Sequence, residues 1–327
     1  MSVDSAILSL LSLDAATATS SSAGGGGCST ATTSKIIAKL PDGSTTAYFV
    51  KTGSGDEAVT MFRGEHESLN ALAAAVPGLA PKSFGHGKLA QQSDKSFLVT
   101  EFLDMSGGRA GSKTTLAAKL AQLHTTPAPV PKGYDQPQFG FPVKTCCGNT
   151  SQKNSYHPSW AKFYADCRLR FIVDRSSSSN GRDDQLVMIV NRVCNEVVPR
   201  LIGDDHINNG KGIQPVVVHG DLWSGNAGFG KLPGMSQAED VIYDSSACYA
   251  HSEYELGIMK MFGGFGGSFI EEYHKLKPKD EPVEEYDDRV ALYELYHHLN
   301  HYAMFGGSYK SGATQIMHRL LKKYGAS

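Results

Sequence analysis

Short apolar runs bounded by turn residues, with one helical stripe among them, mark the first hundred residues, and apolar positions recur mainly at helical spacing after them. Residues 35–40 (KIIAKL) and 46–52 (TAYFVKT) are strand-like runs separated by Pro41-Asp42-Gly43-Ser44, a turn signal, and together they predict a hairpin. From about Ala58 to Ala75, Met61, Leu69, Leu72 and Ala73 form one helical stripe, which Pro77 and Gly78 end. Residues 96–103 (SFLVTEFL) predict another strand, followed by the Gly-rich stretch Ser106–Ser112. The pattern then turns helical. Leu116, Leu120 and Leu123 share a face over 114–124, and helices are predicted over about 159–175 and 184–201. Residues 125–158 read as a loop punctuated by Pro and Gly. Residues 215–218 (PVVV) and 240–244 (DVIYD) read as short strands, and Glu253 to Tyr324 as several helices. At the start, Ile7, Leu8, Leu10 and Leu11 predict a short amphipathic helix within 3–14. Residues 15–34, nearly all Ala, Thr, Ser and Gly, have the composition of a flexible linker. The order predicts an α+β chain with a small strand-rich unit over 1–104 and a larger, mostly helical unit over 105–327.

Composition narrows the partners. The 327 residues carry 31 Lys or Arg and 33 Asp or Glu, a formal charge of −2, so no basic nucleic-acid surface is expected. Forty per cent apolar residues suffice for a sizeable core. No apolar run approaches the roughly 18 residues of a membrane span. Asp4 and Asp14 flank the apolar N-terminal patch and no Lys or Arg precedes Lys35, so a cytoplasmic chain without a leader is expected. The six cysteines form no C-x-x-C pair and are expected to be mostly reduced. His297 and His301 share a helix face, but no carboxylate motif accompanies them, so helix packing or a substrate contact is favoured over a metal site.

The densest chemical signal is Val218-His219-Gly220-Asp221-Leu222-Trp223-Ser224-Gly225-Asn226, between one short strand and another that ends at Asp244. Protein kinases place a catalytic Asp, an Asn five residues later and a metal-binding Asp at a strand end in this order. Phosphoryl transfer requires such parts. A carboxylate, Asp221, faces the attacking hydroxyl, and oxygen ligands, Asn226 and Asp244, hold Mg²⁺ on the phosphates. Lys51 ends a strand-like run where a phosphate-contacting lysine belongs. Glu65, with Glu67 as the alternative, lies in the next helix where its ion-pair partner belongs. Gly24-Gly25-Gly26-Gly27-Cys28-Ser29 stands where a phosphate-covering loop belongs, although a plain linker has the same composition. The strand ending near Glu101 and Leu103 would be the hinge whose backbone hydrogen-bonds adenine.

These residues resemble the fructosamine-3-kinase/ketosamine-3-kinase family. The match is carried by Gly25–Ser29, Phe49-Val50-Lys51, Met61–Glu65, Thr145–Gly148, residues 218–226, residues 242–256 and Met261–Phe265, and it spans about residues 23–322. The resemblance implies a bilobal protein-kinase-like fold of the aminoglycoside phosphotransferase/choline kinase type. It also implies ATP and Mg²⁺ as cofactors. The reaction implied is phosphorylation of the 3-hydroxyl of ribulosamine or fructosamine adducts on protein lysines, which destabilises the adduct and repairs the protein. By position it implies Asp221 as base, Asn226 and Asp244 as metal ligands, and Lys51 with Glu65 as the nucleotide-positioning pair. Trp223 would stack on the sugar, with His219 and His251 beside the substrate. Gly25, Gly26, Gly27, Cys28 and Ser29 would cover the phosphates. The family places a cysteine at Cys28, which implies a redox-sensitive thiol and either a monomer or a Cys28-linked homodimer. The partners implied are glycated proteins or free ketosamines. Two departures lie near Asp244: Ser245 stands where the family has Pro, and Ala250 where it has Gly. The competing readings are an aminoglycoside- or choline-type kinase and a catalytically weak, redox-sensing nucleotide-binding module. Leu222–Gly225 argue against the first, and intact Lys51, Asp221, Asn226 and Asp244 against the second.

Overall fold

At the Pro41–Ser44 turn Gly43 takes φ +84°, Leu40 N–H donates to Ser44 O at 2.8 Å, and the Asp42 carboxylate accepts from Ser44 N–H at 2.9 Å. The left-handed φ is open to glycine without a Cβ penalty. The turn joins strands β2 (Thr32–Lys39) and β3 (Thr45–Ser54) as the two strand-like runs and their turn signal predict. The computed structural model describes residues 2–23, 31–107 and 114–326. They fall into two compact units, Met1–Lys119 with Val143–Ser151 and Gly225–Ala247, and Leu120–Pro142 with Gln152–Ser224 and Cys248–Ser327.

The first unit is built on an antiparallel sheet. Strands β1 (Ala18–Ser22), β4 (Ser83–Lys88) and β5 (Lys95–Glu101) complete the order β1-β2-β3-β5-β4. Strand β1 corrects the linker reading over Ala18–Ser22. Its Ser and Thr residues pair with β2 through Ala18↔Ala38 to Ser22↔Ser34, so ladder hydrogen bonds and the burial of Ala18 fix a stretch whose composition alone implied freedom. Helix α1 (Ser5–Leu11) is capped by Asp4, whose carboxylate accepts from Ala6 N–H. Ile7 packs it against Ile36, Ala38, Val50, Phe97 and Val99. The other sheet face, carrying Leu98, packs on Ala58 and Phe62 of helix α2 (Gly55–Ala75). Side chains alternate along a strand, so Lys51, next to Val50 and paired with Leu98, belongs to the α2 side. Gly64 lets residues 143–151 approach α2: a Cβ there would lie 2.6 Å from Lys144 O.

The second unit is mainly helical. Residues 160–180 and 184–202 are two helical runs, each interrupted by a π-helical stretch, Ala165–Arg170 and Val193–Val197. Trp160 is fully buried among Phe139, Phe163, Tyr164, Tyr254 and Tyr293. The long Tyr286–Phe305 helix packs on the Glu255–Phe262 and Tyr309–Tyr324 helices. At its centre Val216–Val218 pairs antiparallel with Cys248–Ala250, two strands with every residue buried. Among the described residues no helix is long and apolar enough to cross a membrane.

Candidate active site

In the first unit the structure brings Lys51, Glu65 and Asp244 together. Lys51 Nζ lies 2.6 Å from Glu65 Oε1 and 2.5 Å from Asp244 Oδ1. Burial disfavours its ammonium, but the two carboxylates outweigh that cost and hold its pKa above the ordinary lysine value. Burial raises the Glu65 pKa, and the Asp244 charge adds to this against the pull of Lys51. The structure thus decides between Glu65 and Glu67. Asp244 has φ +58°, a left-handed backbone uncommon for a residue with a Cβ. Its side chain keeps 35% exposure, so a carboxylate edge stays open. A hairpin of Ala227–Gly230 with Glu239–Ile242 fixes Asn226. The register Ala227↔Ile242 sets Asn226 O against Tyr243 N–H at 3.0 Å, one residue from Asp244. An amide oxygen and a partly exposed carboxylate form a hard-oxygen donor set that suits Mg²⁺.

In the second unit the loop after Val216–Val218 is pinned from below. The buried Glu255 carboxylate accepts His219 N–H at 2.5 Å and Gly220 N–H at 3.0 Å. Gly220 has φ +81°, a turn open to glycine without strain. Asp221 N–H donates to His219 Nδ1 at 3.2 Å. Burial would raise the Glu255 pKa, but the His124 ring 3.7 Å away and the backbone N–H groups it accepts hold it below the usual carboxylate range. Trp223 lies half-buried with its ring 6.0 Å from Phe262. Gly264, at φ +91°, packs against Ser224 more closely than a side chain would permit. This accounts for the glycine pair after Phe262.

His219 and His251 are placed differently from the expectation that they face substrate. Their exposures are 0% and 1%. The Trp160 indole N–H donates to Tyr293 Oη at 2.8 Å. Tyr293 Oη also lies 2.7 Å from His251 Nδ1, and His251 Nε2 lies 2.8 Å from Asp280 Oδ2, so both ring nitrogens are engaged. Asp280 also accepts from Lys277 at 2.8 Å, and Glu253 accepts a two-pronged Arg289 at 2.7 and 3.1 Å. Burial would raise the Asp280 carboxyl, but His251 and Lys277 hold it far below the usual range. His251, Glu253 and Asp280 offer three donors within 4.8 Å, yet Arg289 and Lys277 already supply the positive charge. The group reads as an ion-pair network.

The remaining predicted residues divide. Glu101 N–H donates to Lys82 O at 2.8 Å, so that donor is committed within the sheet. Leu103 packs beside Gly230. Gly25, Gly26, Gly27, Cys28 and Ser29 lie outside the described residues. None of the five described cysteines is in a disulfide. His301 Nδ1 lies 2.8 Å from His297 O, a helix-packing arrangement. Sequence reasoning gave no role to Glu255, Glu253 or Arg289. A signal was present, because two carboxylates interrupt the otherwise apolar run around Tyr254 and Leu256, and buried charge there demands partners.

An α+β architecture with a lysine–glutamate pair, a strand-end Asp and a pinned H-G-D loop defines a kinase-like phosphotransferase. The chain belongs to the fructosamine kinase family, whose model matches residues 5–323. Ketosamine-3-kinase of Mus musculus is 35% identical over 295 residues, covering 84% of this chain and 88% of its own. Protein-ribulosamine 3-kinase, chloroplastic, of Oryza sativa subsp. japonica is 34% identical over 281 residues, covering 84% and 73%. The crystal structure of a candidate fructosamine-3-kinase from Thermobifida fusca superposes with a TM-score of 0.74 at 22% identity, over 98% of both chains. An aminoglycoside phosphotransferase shares the fold at a TM-score of 0.51 and 13% identity, over 97% of both chains. The chain is a phosphotransferase with an alcohol group as acceptor, and its kinase-like family implies ATP as donor.

Proposed function

We propose that the chain transfers the γ-phosphoryl group of ATP to the 3-hydroxyl of ketosamines, ribulosamine adducts of lysine foremost, and so starts deglycation of the amine. The observation that carries this reading is the buried Lys51 ammonium shared by Glu65 and Asp244. A lysine held charged and aimed by a buried carboxylate is what α/β-phosphate oxygens need, and no packing role explains a lone ammonium between two acids. ATP with Mg²⁺ supplies the phosphoryl group and the charge neutralisation. Asn226 and Asp244 would hold the ion, and Lys51 would then turn from Asp244 to the phosphates while Glu65 keeps its aim. Asp221, presented on a loop fixed by Glu255, accepts the proton of the sugar hydroxyl. Trp223 offers an indole face to the sugar. His219 and His251 act by position, through the backbone and side chains they hold.

The test is a coupled ATP-turnover assay with ribulosyl-lysine, fructosyl-lysine, an aminoglycoside and choline side by side. The expected outcome is ketosamine-dependent ADP release, with kcat/KM higher for ribulosyl-lysine, and phosphorus coupling at carbon 3 of the product. Turnover confined to the aminoglycoside or choline would sink the reading.

A further inference from the structure

Most large apolar side chains of the second unit are buried, but one row of rings is not. Phe262 is 42% exposed and Phe305 67% exposed. They belong to a continuous run that starts on the H-G-D loop: Trp223 to Phe262 at 6.0 Å, Phe262 to His301 at 5.0 Å, and His301 to Phe305 at 5.8 Å. Tyr309 closes the far end, 5.2 Å from His301 and 6.3 Å from Phe305. Contiguous exposed aromatic surface of this kind marks a contact site more often than scattered apolar residues do.

We infer that the Trp223–Phe262–His301–Phe305 run is the binding track for the amine-bearing part of the substrate, the lysine side chain of a glycated peptide at its Trp223–Phe262 end and the adjoining peptide at Phe305. The inference rests on the ketosamine reading and goes beyond it in naming what holds the part of the substrate that does not react. In a 1-amino-2-keto sugar the amine is on carbon 1, two carbons from the hydroxyl that Asp221 faces. With that hydroxyl at Asp221, the amine falls within about 5 Å of it, at the start of the track. The arm then presents a secondary ammonium followed by an aliphatic stem. Both suit ring faces, the cation through the ring quadrupole and the stem through apolar contact. His301 fits as the middle ring. Its Nδ1–H donates to His297 O, which leaves Nε2 as an acceptor, and burial lowers its pKa, so the neutral ring does not repel the ammonium.

The test compares kcat/KM for two substrates sharing one sugar: a ribulosyl-lysine peptide and ribulosyl-methylamine, which has no arm. Phe305→Ala is expected to lower the peptide-to-methylamine ratio about tenfold, chiefly through KM for the peptide. Phe305→Trp should keep the ratio, and Met188→Ala, which removes an equally exposed apolar side chain (61%) from another helix, should leave it unchanged. Melting temperature and sedimentation are measured on each variant. An unchanged ratio in folded Phe305→Ala overturns the inference, as does an equal loss on both substrates. Conversion of an oligomer to monomer by that variant also overturns it, because the rings would then be a self-interface. Wild-type protein that turns over neither substrate refutes the ketosamine reading itself, and the track with it.

Discussion

Both units bury charge, but they satisfy it differently. In the first, Lys51, Glu65 and Asp244 meet side chain to side chain, and Asp244 stays partly open. In the second, Glu255 is spent on two backbone N–H groups, and Glu253, Asp280 and His251 are held by Arg289, Lys277 and Tyr293. A triad of two acids and one base can exchange a partner when a ligand arrives. A carboxylate bonded to main chain cannot leave without stranding buried donors. The first unit therefore carries charge that is available to a ligand, and the second uses charge as scaffolding for a loop.

The comparison is sharpened most by the loop the scaffold presents. Asp221→Ala should lower kcat by about 10²–10⁴-fold with an unchanged melting temperature, because its side chain is half-exposed and its proposed role is chemical. Near-normal turnover would remove Asp221 from the mechanism. Lys51→Ala should cost about 10²–10³-fold in kcat/KM for ATP, the range for losing one preorganised electrostatic donor. A loss confined to the sugar substrate would place Lys51 elsewhere. Glu255→Ala should do something different. It leaves His219 N–H and Gly220 N–H buried without acceptors, so stability falls by about 2–4 kcal/mol in denaturant titration. The loosened loop should lower kcat while KM for ATP holds. If Glu255→Ala left both stability and kcat unchanged, the scaffolding account would fail.

Much of this was legible in the sequence, for a physical reason. Short β-branched and aromatic runs, two of them split by a turn signal, marked β2, β3 and β5. The Asp221–Asn226 spacing and a strand leading to Asp244 were visible because kinase motifs keep fixed offsets, although the strand stops at Ile242, short of the expected end at Asp244. Strand β1 was hidden, since a Ser/Thr-rich stretch looks the same whether it is free or paired to a sheet edge. The roles of Glu255 and His251 were hidden too. Their partners lie far along the chain, His219 for one and Asp280 and Tyr293 for the other. One sequence does not say which buried donor a carboxylate will meet.

The two units should also part in acid. His297 is kept well below the ordinary histidine pKa by burial, and burial likewise lowers His124, His274 and His301, all in the second unit, against His86 alone in the first. Such a ring binds its proton more readily once unfolded, so as pH falls through about 6.5 the unfolded chain gains protons the native state refuses. Stability should therefore drop between pH 7 and pH 5. Below about 4.5 the lowered Glu255 and Asp280 add to the loss. Glu65, raised in the native state, acts in the opposite sense and favours the folded form at low pH. Urea titrations at pH 7 and pH 5 on wild type and His297→Gln should show a shallower pH dependence in the variant. Parallel curves would mean the buried histidines do not set the acid response.

The smallest expected effect tests whether the first unit carries a polar group it does not use. Ser245 follows Asp244 where the family has proline, and its Oγ is buried with no hydrogen-bond partner among the described residues. A buried hydroxyl without a partner costs about 1–3 kcal/mol relative to leaving it in water. Alanine keeps the Cβ and removes the orphan oxygen, so Ser245→Ala should raise stability by about 1 kcal/mol. The expected readout is a higher denaturant midpoint at unchanged slope, with KM for ATP within twofold of wild type. A loss of stability would show that Ser245 does find a partner. Activity that fell while stability rose would mean the hydroxyl serves the Asp244 end of the ion triad, and that end would then have to be counted with the scaffolding charges of the second unit.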